Sequence, residues 1–491
     1  MKSARALIVG ILALGLATDA SAGAGVGGYF RVAARPDLQG GQGSLGYWNL
    51  YGRLMNEGSY GMVDLRVGLV EPRPGTHDSW TSVHARVEGG SIAGADGGGG
   101  SLADWKLSEF YVKAGNVLIP GVEWRVGTLY YYQGDLGLYD FRPSNLFHES
   151  VGVSGRIDNE HLELILGIGD AGFAMRPDGY NTILTPGGAL RLRFGRLELG
   201  GGGQAYIEPK VTGKPTAPHV TPGMNYEDWV RGEVVQRYLE ENPGLESQFT
   251  APEPTSALSW RVFGYLGFGG VGPIIWSNTW VNRVLLHPDA RSVEVVNGRS
   301  YDLFVTELTD ERYQLNIGHE TQLRVVPDRL DAVWGWVYGD YSDKDNDVAP
   351  SDHDRLFYST VLRGQLYMTE TVHLLAEGSV AREVSRNGNA YRDHQDSIFK
   401  SADGISDTDG LEWGDDDTRD TWQAKGGVVL NPLGRGVFTR PSLRLLYGVQ
   451  HSTQNNAFGN AFVDSLDAQN DFGNVERHWH HLASLETEVW F

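Results

Sequence analysis

The sequence predicts an all-β protein, a transmembrane antiparallel β-barrel of about eighteen strands built as one continuous domain over residues 23–491. Three observations predict it. The chain closes on an alternating strand, His481 to Phe491, that stops on an aromatic residue. Period-2 segments recur from end to end, and the amino terminus has the form of an export signal.

Counting back from Phe491 by twos gives Val489, Thr487, Leu485 and Ala483, a face that lipid accepts. The other phase, Trp490, Glu488, Glu486 and Ser484, wants water. A last strand that is apolar outward, charged inward and ends on Phe fits an outer-membrane barrel. A half-buried strand of a soluble sheet would alternate in the same way, so the rest of the chain has to decide.

Lys2 and Arg5 precede the apolar run Ala6 to Ala17, which is too short to span a bilayer as a helix. Ala20-Ser21-Ala22 then fits a small-x-small cleavage site, so residues 1–22 read as a secretory signal peptide and Gly23 as the mature start. No later stretch of about eighteen apolar residues suggests a membrane-spanning helix. Cysteine is absent, which excludes disulfides, thiolate metal sites and Cys nucleophiles. A net charge of -21 argues against a nucleic-acid partner, which clustered Lys and Arg would be needed to hold. The 66 Gly, 14 Trp, 22 Tyr and 17 Phe are many for a mean hydropathy of -0.31. Barrels place Gly in turns and aromatics in interfacial girdles. The expected address is the outer membrane of a Gram-negative bacterium, crossed many times.

Alternating segments follow one another along the chain. Tyr47, Asn49, Tyr51 and Arg53 alternate with Trp48, Leu50 and Leu54; Val63, Leu65, Val67 and Leu69 with Asp64 and Arg66; Val122, Trp124 and Val126 with Glu123 and Arg125. Tyr358, Thr360, Leu362 and Leu366 alternate with Val361, Arg363 and Gln365, and Leu443, Leu445 and Tyr447 with Arg444 and Leu446. Charges keep to one phase, as lipid-out and lumen-in strands require. Tight connections at Pro120-Gly121, Met368-Thr369-Glu370 and Asn431 to Gly436 read as periplasmic turns. Long polar ones at Gly89–Ala103, Asp343–Asp354 and Arg386–Asp420 read as extracellular loops. At roughly 25 residues per strand with its share of loop, the chain holds about sixteen to twenty strands, an even number. One Pro-punctuated stretch, residues 208–255, reads as an extracellular insertion. Within it Tyr226 to Glu241 has the form of a short helix capped by Asn225 and stopped by Pro243-Gly244.

Chemical motifs are sparse. Asp343-Lys344-Asp345-Asn346-Asp347 begins like a calcium loop but lacks the Gly at its sixth position and the Glu at its twelfth. It and Asp415-Asp416-Asp417 read as solvated loop charge, with loop Ca²⁺ the alternative. His161, His373 and the His478-Trp479-His480-His481 run come without a G-x-S-x-G or similar nucleophile motif. Adjacent His480 and His481 of one strand point to opposite faces. The expectation is a channel and not an enzyme, with no cofactor.

Val26 to Arg31, Tyr130 to Arg142 and Val437 to Pro441, with the order of turns around them, resemble maltoporin and its relatives, the sugar-specific porins. The resemblance runs nearly the whole length and is clearest at 26–69, 105–150, 355–382, 428–450 and the last strand. It implies a homotrimer of eighteen-stranded barrels whose third long loop folds inward as a constriction. It also implies an aromatic slide for sugar rings, carried over here to Tyr29, Phe438 and Trp490. The polar track beside the slide carries over to Arg31, Arg53, Asp64, Glu109, Asp135 and Asp140. The chain departs from the pattern at Arg142, where the family has a constriction Tyr, and at Gly134, where a loop Arg is missing. For a slide Trp donated by a neighbouring subunit, Trp80 and Trp105 are both candidates.

Parity agrees with this placement without the family: Tyr29 shares a phase with Arg31, Trp490 with Glu488 and Arg53 with Asn49. The apolar faces of a pyranose ring stack on aromatics while its hydroxyls bond carboxylates and Arg at the edges. Each such contact must be weak and repeated for the solute to leave again. The resulting expectation is facilitated diffusion of maltodextrin-like oligosaccharides. The alternatives are a general diffusion porin, weakly cation-preferring through an acidic lumen, and a surface adhesin or receptor built on the acidic loops and the 208–255 insertion.

Overall fold

The computed structural model describes residues 23–36, 45, 48–71, 78–89, 105–175, 182–211, 255–286, 291–296, 299–304, 312–343, 355–385, 418–453 and 479–491. The leader expected at 1–22, most of the three long polar loops, the helix expected at 226–241 and the Asp415–Asp417 cluster lie outside these residues.

Strands follow in chain order: β1 (Ala24–Ala34), β2 (Tyr60–Val70), β3 (Trp80–Gly89), β4 (Lys106–Gly115), β5 (Glu123–Tyr131), β6 (Leu146–Asp158) and β7 (Leu162–Asp170). Next come β8 (Gly187–Phe194), β9 (Leu197–Val211), β10 (Thr255–Val271), β11 (Ile274–Leu286), β12 (Arg291–Val296) and β13 (Arg299–Phe304). The last are β14 (Arg312–Val326), β15 (Leu330–Asp343), β16 (Arg355–Tyr367), β17 (Val372–Ser385), β18 (Thr418–Leu430), β19 (Ser442–Ser452) and β20 (Trp479–Trp490). Eighteen of them form one sheet in which each strand pairs antiparallel with its neighbour in sequence, and β12–β13 stand apart as a separate hairpin inserted before β14. The sheet closes where β1 pairs with β20, with Tyr29 opposite Trp490 and Arg31 opposite Glu488. Phe491 completes the seam: its amide donates to the Gly28 carbonyl and the Gly28 amide donates back to the Phe491 carbonyl.

Short turns gather at one end of the barrel. They lie between β4 and β5, β6 and β7, β8 and β9, β10 and β11, β14 and β15, and β16 and β17. The connections that follow β1, β3, β5, β7, β9, β11, β15, β17 and β19 leave from the other end. Gly195 and Gly272 adopt φ of 64° and 56° in the two tightest turns, a region that glycine enters without steric cost. The two classes of connection read from the sequence thus start from opposite ends.

Alternation sorts the side chains. Leu362, Val380, Leu445 and Leu485 point outward and are half or more exposed, whereas Arg363, Glu377, Arg444 and Glu486 on the same strands point inward and are buried. On β1, β2 and β6 to β10 the outward set is almost wholly Gly, Ala and aliphatic or aromatic residues, such as Val153, Leu166, Leu190, Leu199 and Leu266. No helix among the described residues is long and apolar enough to cross a membrane; crossing is left to the strands.

Two loops turn inward. The first, L1 (described at 35–36, 45 and 48–59), carries the four-residue helix α1 (Trp48–Tyr51). The third, L3 (132–145), links β5 to β6. The sequence reading of a strand here is therefore wrong over Trp48 to Leu54, with Tyr47 outside the described residues, and the strand parity assigned to Arg53 goes with it. From Leu50 to Glu57 every residue but Arg53 is buried, a run that the alternation of a strand with one lipid-facing side does not give, and Gly52 at φ 82° ends the helical turn. The segment is packed between L3 and the inner wall, so its apolar positions do not report a lipid face. A second four-residue helix, α2 (Gly172–Met175), follows β7.

Candidate functional site

L3 is seated by an apolar plug. Leu136, Leu138 and Tyr139 are completely buried and pack with Trp280, Val333, Val337 and Val361 on the inner wall of β11, β15 and β16. Its backbone is pinned too: Glu320 accepts hydrogen bonds from the amides of Gly137 at 3.1 Å and Leu138 at 2.7 Å. Asn282 donates to the Pro143 carbonyl at 2.6 Å. A loop buried in a lumen needs such partners for its backbone groups.

L1 lies beside it on the wall of β17 to β20, with Leu45, Leu54 and Met55 against Leu375, Val429, Leu446 and Leu482. Lys425 donates to the Tyr51 carbonyl at 3.0 Å and Gln423 to the Leu45 carbonyl at 2.6 Å. Beneath them Glu377 joins Arg363 at 2.6 Å and Lys425 at 3.0 Å in a buried ionic triad. The two loops touch where the Arg53 amide donates to the Leu138 carbonyl at 2.7 Å.

The inner wall of β11 and β15 to β20 is therefore covered by the two loops. The passage is left along the opposite wall, where the inward side chains of β2, β3 and β4 are mostly half-exposed instead of buried. A row of alternating charge crosses that wall: Asp64 to Arg86 at 2.7 Å, Arg86 to Glu109, and Glu109 to Arg125 at 2.7 Å. Arg125 also lies over the Tyr111 ring, 3.6 Å from its centre, and Tyr60 donates to Glu88 at 2.8 Å. A second row follows, in which Glu163 takes Arg156 at 2.7 Å and Arg193 at 3.1 Å, and Arg191 joins Glu198. Carboxylates alternate with guanidinium groups along both rows, so these rows are not the acidic lumen expected of a general porin.

The narrowed level is bounded by L1, L3 and the seam. Tyr29 donates to Glu488 at 2.9 Å, and Arg53 reaches the Tyr29 hydroxyl at 3.1 Å and Glu57 at 2.8 Å. Arg31 bonds the Gly58 carbonyl at 2.8 Å and pairs with Glu57. Arg440 and Arg444 each reach Glu488 at 2.6 Å. Burial pushes the Glu57 carboxyl up to about 7, against the pull of Arg53 and Arg31; its hydrogen bond with Asp140 acts with burial. Asp140 feels burial as well, but Arg53, that shared hydrogen bond and Arg142 hold it below the usual carboxylate range. Burial raises Asp135.

Most of the residues singled out in the sequence come together here. Tyr29, Arg31, Arg53, Asp140 and Arg142 surround the narrowed level, Asp64 and Glu109 lie in the facing charge row, and Asp135 sits on L3. The aromatic trio is less uniform. Trp490 shares the lumen phase, 57% exposed, with its ring 4.5 Å from that of Tyr29. Tyr29 is 5% exposed, and its hydroxyl is engaged by Glu488 and Arg53. Phe438 does not open a strand as expected. It lies in the turn ahead of β19, against Gly137 of L3 and 6.2 Å from the Trp276 ring. The Pro and Gly residues around it end β18 and delay β19 to Ser442. Of the two donor candidates, Trp105 rests 6.2 Å from Phe30 on the outer face and Trp80 lies over Gly115.

Arg86, Arg125, Tyr60, Tyr130 and Tyr132 escaped the sequence reading as site residues. Arg86 was accessible to it, since it alternates with Ala85 and Val87 as Asp64 does with its neighbours.

No protein-family model matches the chain, and no curated protein does. Among solved structures it is similar to OccAB1 of Acinetobacter baumannii, at 8% identity over 96% of this chain and 97% of that one, TM-score 0.46. It is similar to OmpT of Vibrio cholerae, at 8% identity over 96% and 99%, TM-score 0.41. A third is OmpF of Salmonella typhi in complex with daunomycin, at 7% identity over 95% and 97%, TM-score 0.40. At such values the likenesses carry no argument, and the address follows from the wall itself. A closed antiparallel sheet of even strand number, apolar outside and polar inside, satisfies every backbone group within lipid. The chain is an outer-membrane β-barrel. Among the barrel's described residues no group of three His, Asp or Glu side chains is placed to hold a metal.

Proposed function

We propose that the barrel is a passive channel that takes up oligosaccharides by facilitated diffusion. One observation carries the reading: two loops cover the inner wall of β11 and β15 to β20, while the wall of β2 to β5 keeps half-exposed hydrogen-bonding pairs and aromatic rings. A solute rich in hydroxyls can exchange its water for such a wall in small steps, each cheap to make and to break. The resemblance to sugar-specific porins supports the same solute and a homotrimer without enzymatic activity. In a planar bilayer, maltohexaose should block the ion current in a saturable way, and Trp490→Ala should weaken that block. Conductance unchanged at high sugar concentration would refute the sugar reading. Cross-linking in detergent tests the trimer.

A second reading, general diffusion of small solutes, is favoured by one specific feature. Of the three expected slide residues Tyr29 is buried and Phe438 is partly buried against L3, which leaves Trp490 exposed. Permeation that depends on solute size alone, with no saturation, would support it.

A further inference from the structure

Of the slide expected from the sequence, Tyr29 and Trp490 lie on the wall, yet a well-presented aromatic surface of the narrowed level is on the loop. Tyr132 opens L3 and is 41% exposed. Its ring centre lies 5.5 Å from that of Tyr130. The Arg142 guanidinium donates to the Tyr130 hydroxyl at 2.9 Å and lies 5.1 Å from the centre of the Tyr132 ring. The Arg142 side chain is 42% exposed, and its carboxylate neighbour Asp140 stands off at 3.8 Å. By contrast Arg53, Arg125, Arg440 and Arg444 each hold a carboxylate at 2.8 Å or less. Arg142 thus keeps donor capacity that the other four spend inside the protein. L3 is seated by Leu136, Leu138 and Tyr139, which pack on the inner wall, so these exposed groups are not what holds the loop in place.

We propose that the sugar-stacking platform of this channel is the L3 ledge of Tyr132, Arg142 and Asp140, with Tyr130 fixing the guanidinium. The inference rests on the channel reading above and adds to it where the solute stacks. A pyranose ring laid on Tyr132 presents its edge hydroxyls to a donor fork and an acceptor side by side, and a sugar hydroxyl both donates and accepts. The fork matters because two parallel N–H groups can grip neighbouring hydroxyls, which the single ammonium of lysine cannot do.

The test is current block by maltohexaose in planar bilayers with the full-length channel. Tyr132→Ala should raise the half-blocking concentration about fivefold, and Arg142→Lys about threefold, the scale of one lost stacking or bidentate contact. Tyr132→Phe, which keeps the ring, should stay near wild type. Unchanged heat-modifiable migration of each variant shows that the barrel is intact. A wild-type channel that is blocked while Tyr132→Ala and Arg142→Lys block equally well overturns the ledge and leaves the channel reading standing. A wild-type channel that conducts but is never blocked overturns both.

Discussion

Glu57 ties the narrowed level to pH. Its carboxyl faces Arg31, Arg53 and Asp140, and burial raises it from 4.5 to about 7. The seated loop therefore holds a proton that the released loop would lose. The stability this contributes is fully present below pH about 4.5 and is lost as pH rises through about 7. Above that pH the narrowed level also gains one negative charge. Reversal potentials in a salt gradient should shift toward cation preference between about pH 6 and pH 8, and Glu57→Gln should flatten the shift. An equal shift in that variant would assign the titration elsewhere. No sequence pattern announced this residue, because its environment is made by three segments far apart in the chain.

At the level of elements, the seating of L1 and L3 sets the width of the passage. Tyr139 is completely buried and donates to the Gly335 carbonyl at 3.2 Å. Tyr139→Ala should cost about 3–5 kcal/mol of local stability and raise open-channel conductance as L3 loosens; denaturant titration and bilayer recording measure the two. The strands were legible in the sequence because alternation is local: Asp64 with Val63 and Leu65, or Arg363 with Leu362, gives phase and face at once. L1 was not. Its Tyr51 bonds Glu383 across 332 positions, and its Leu45 carbonyl accepts from Gln423 across 378. Nothing near these residues in sequence distinguishes such packing from a strand. Arg142 was located by resemblance, but the exposed ring of Tyr132 beside it became visible only once the loop was folded.

For the whole molecule, the division between a lipid-facing and a water-facing wall makes a sharp contrast. Leu362 is 55% exposed on the outer face of β16. Leu362→Arg should cost about 2–4 kcal/mol near the middle of the bilayer, read as a lower urea midpoint in refolding into vesicles. The same charge already stands one residue away, inward, at Arg363. The seam between β1 and β20 has one more consequence. Tyr29 and Glu488 close the barrel and also border the passage, so a change there risks the container along with its contents. Tyr132 and Arg142 on the L3 ledge have no such second duty. If this scaffold is ever retuned for another cargo, by selection or by design, the loop is the side on which it can be rewritten without reopening the wall.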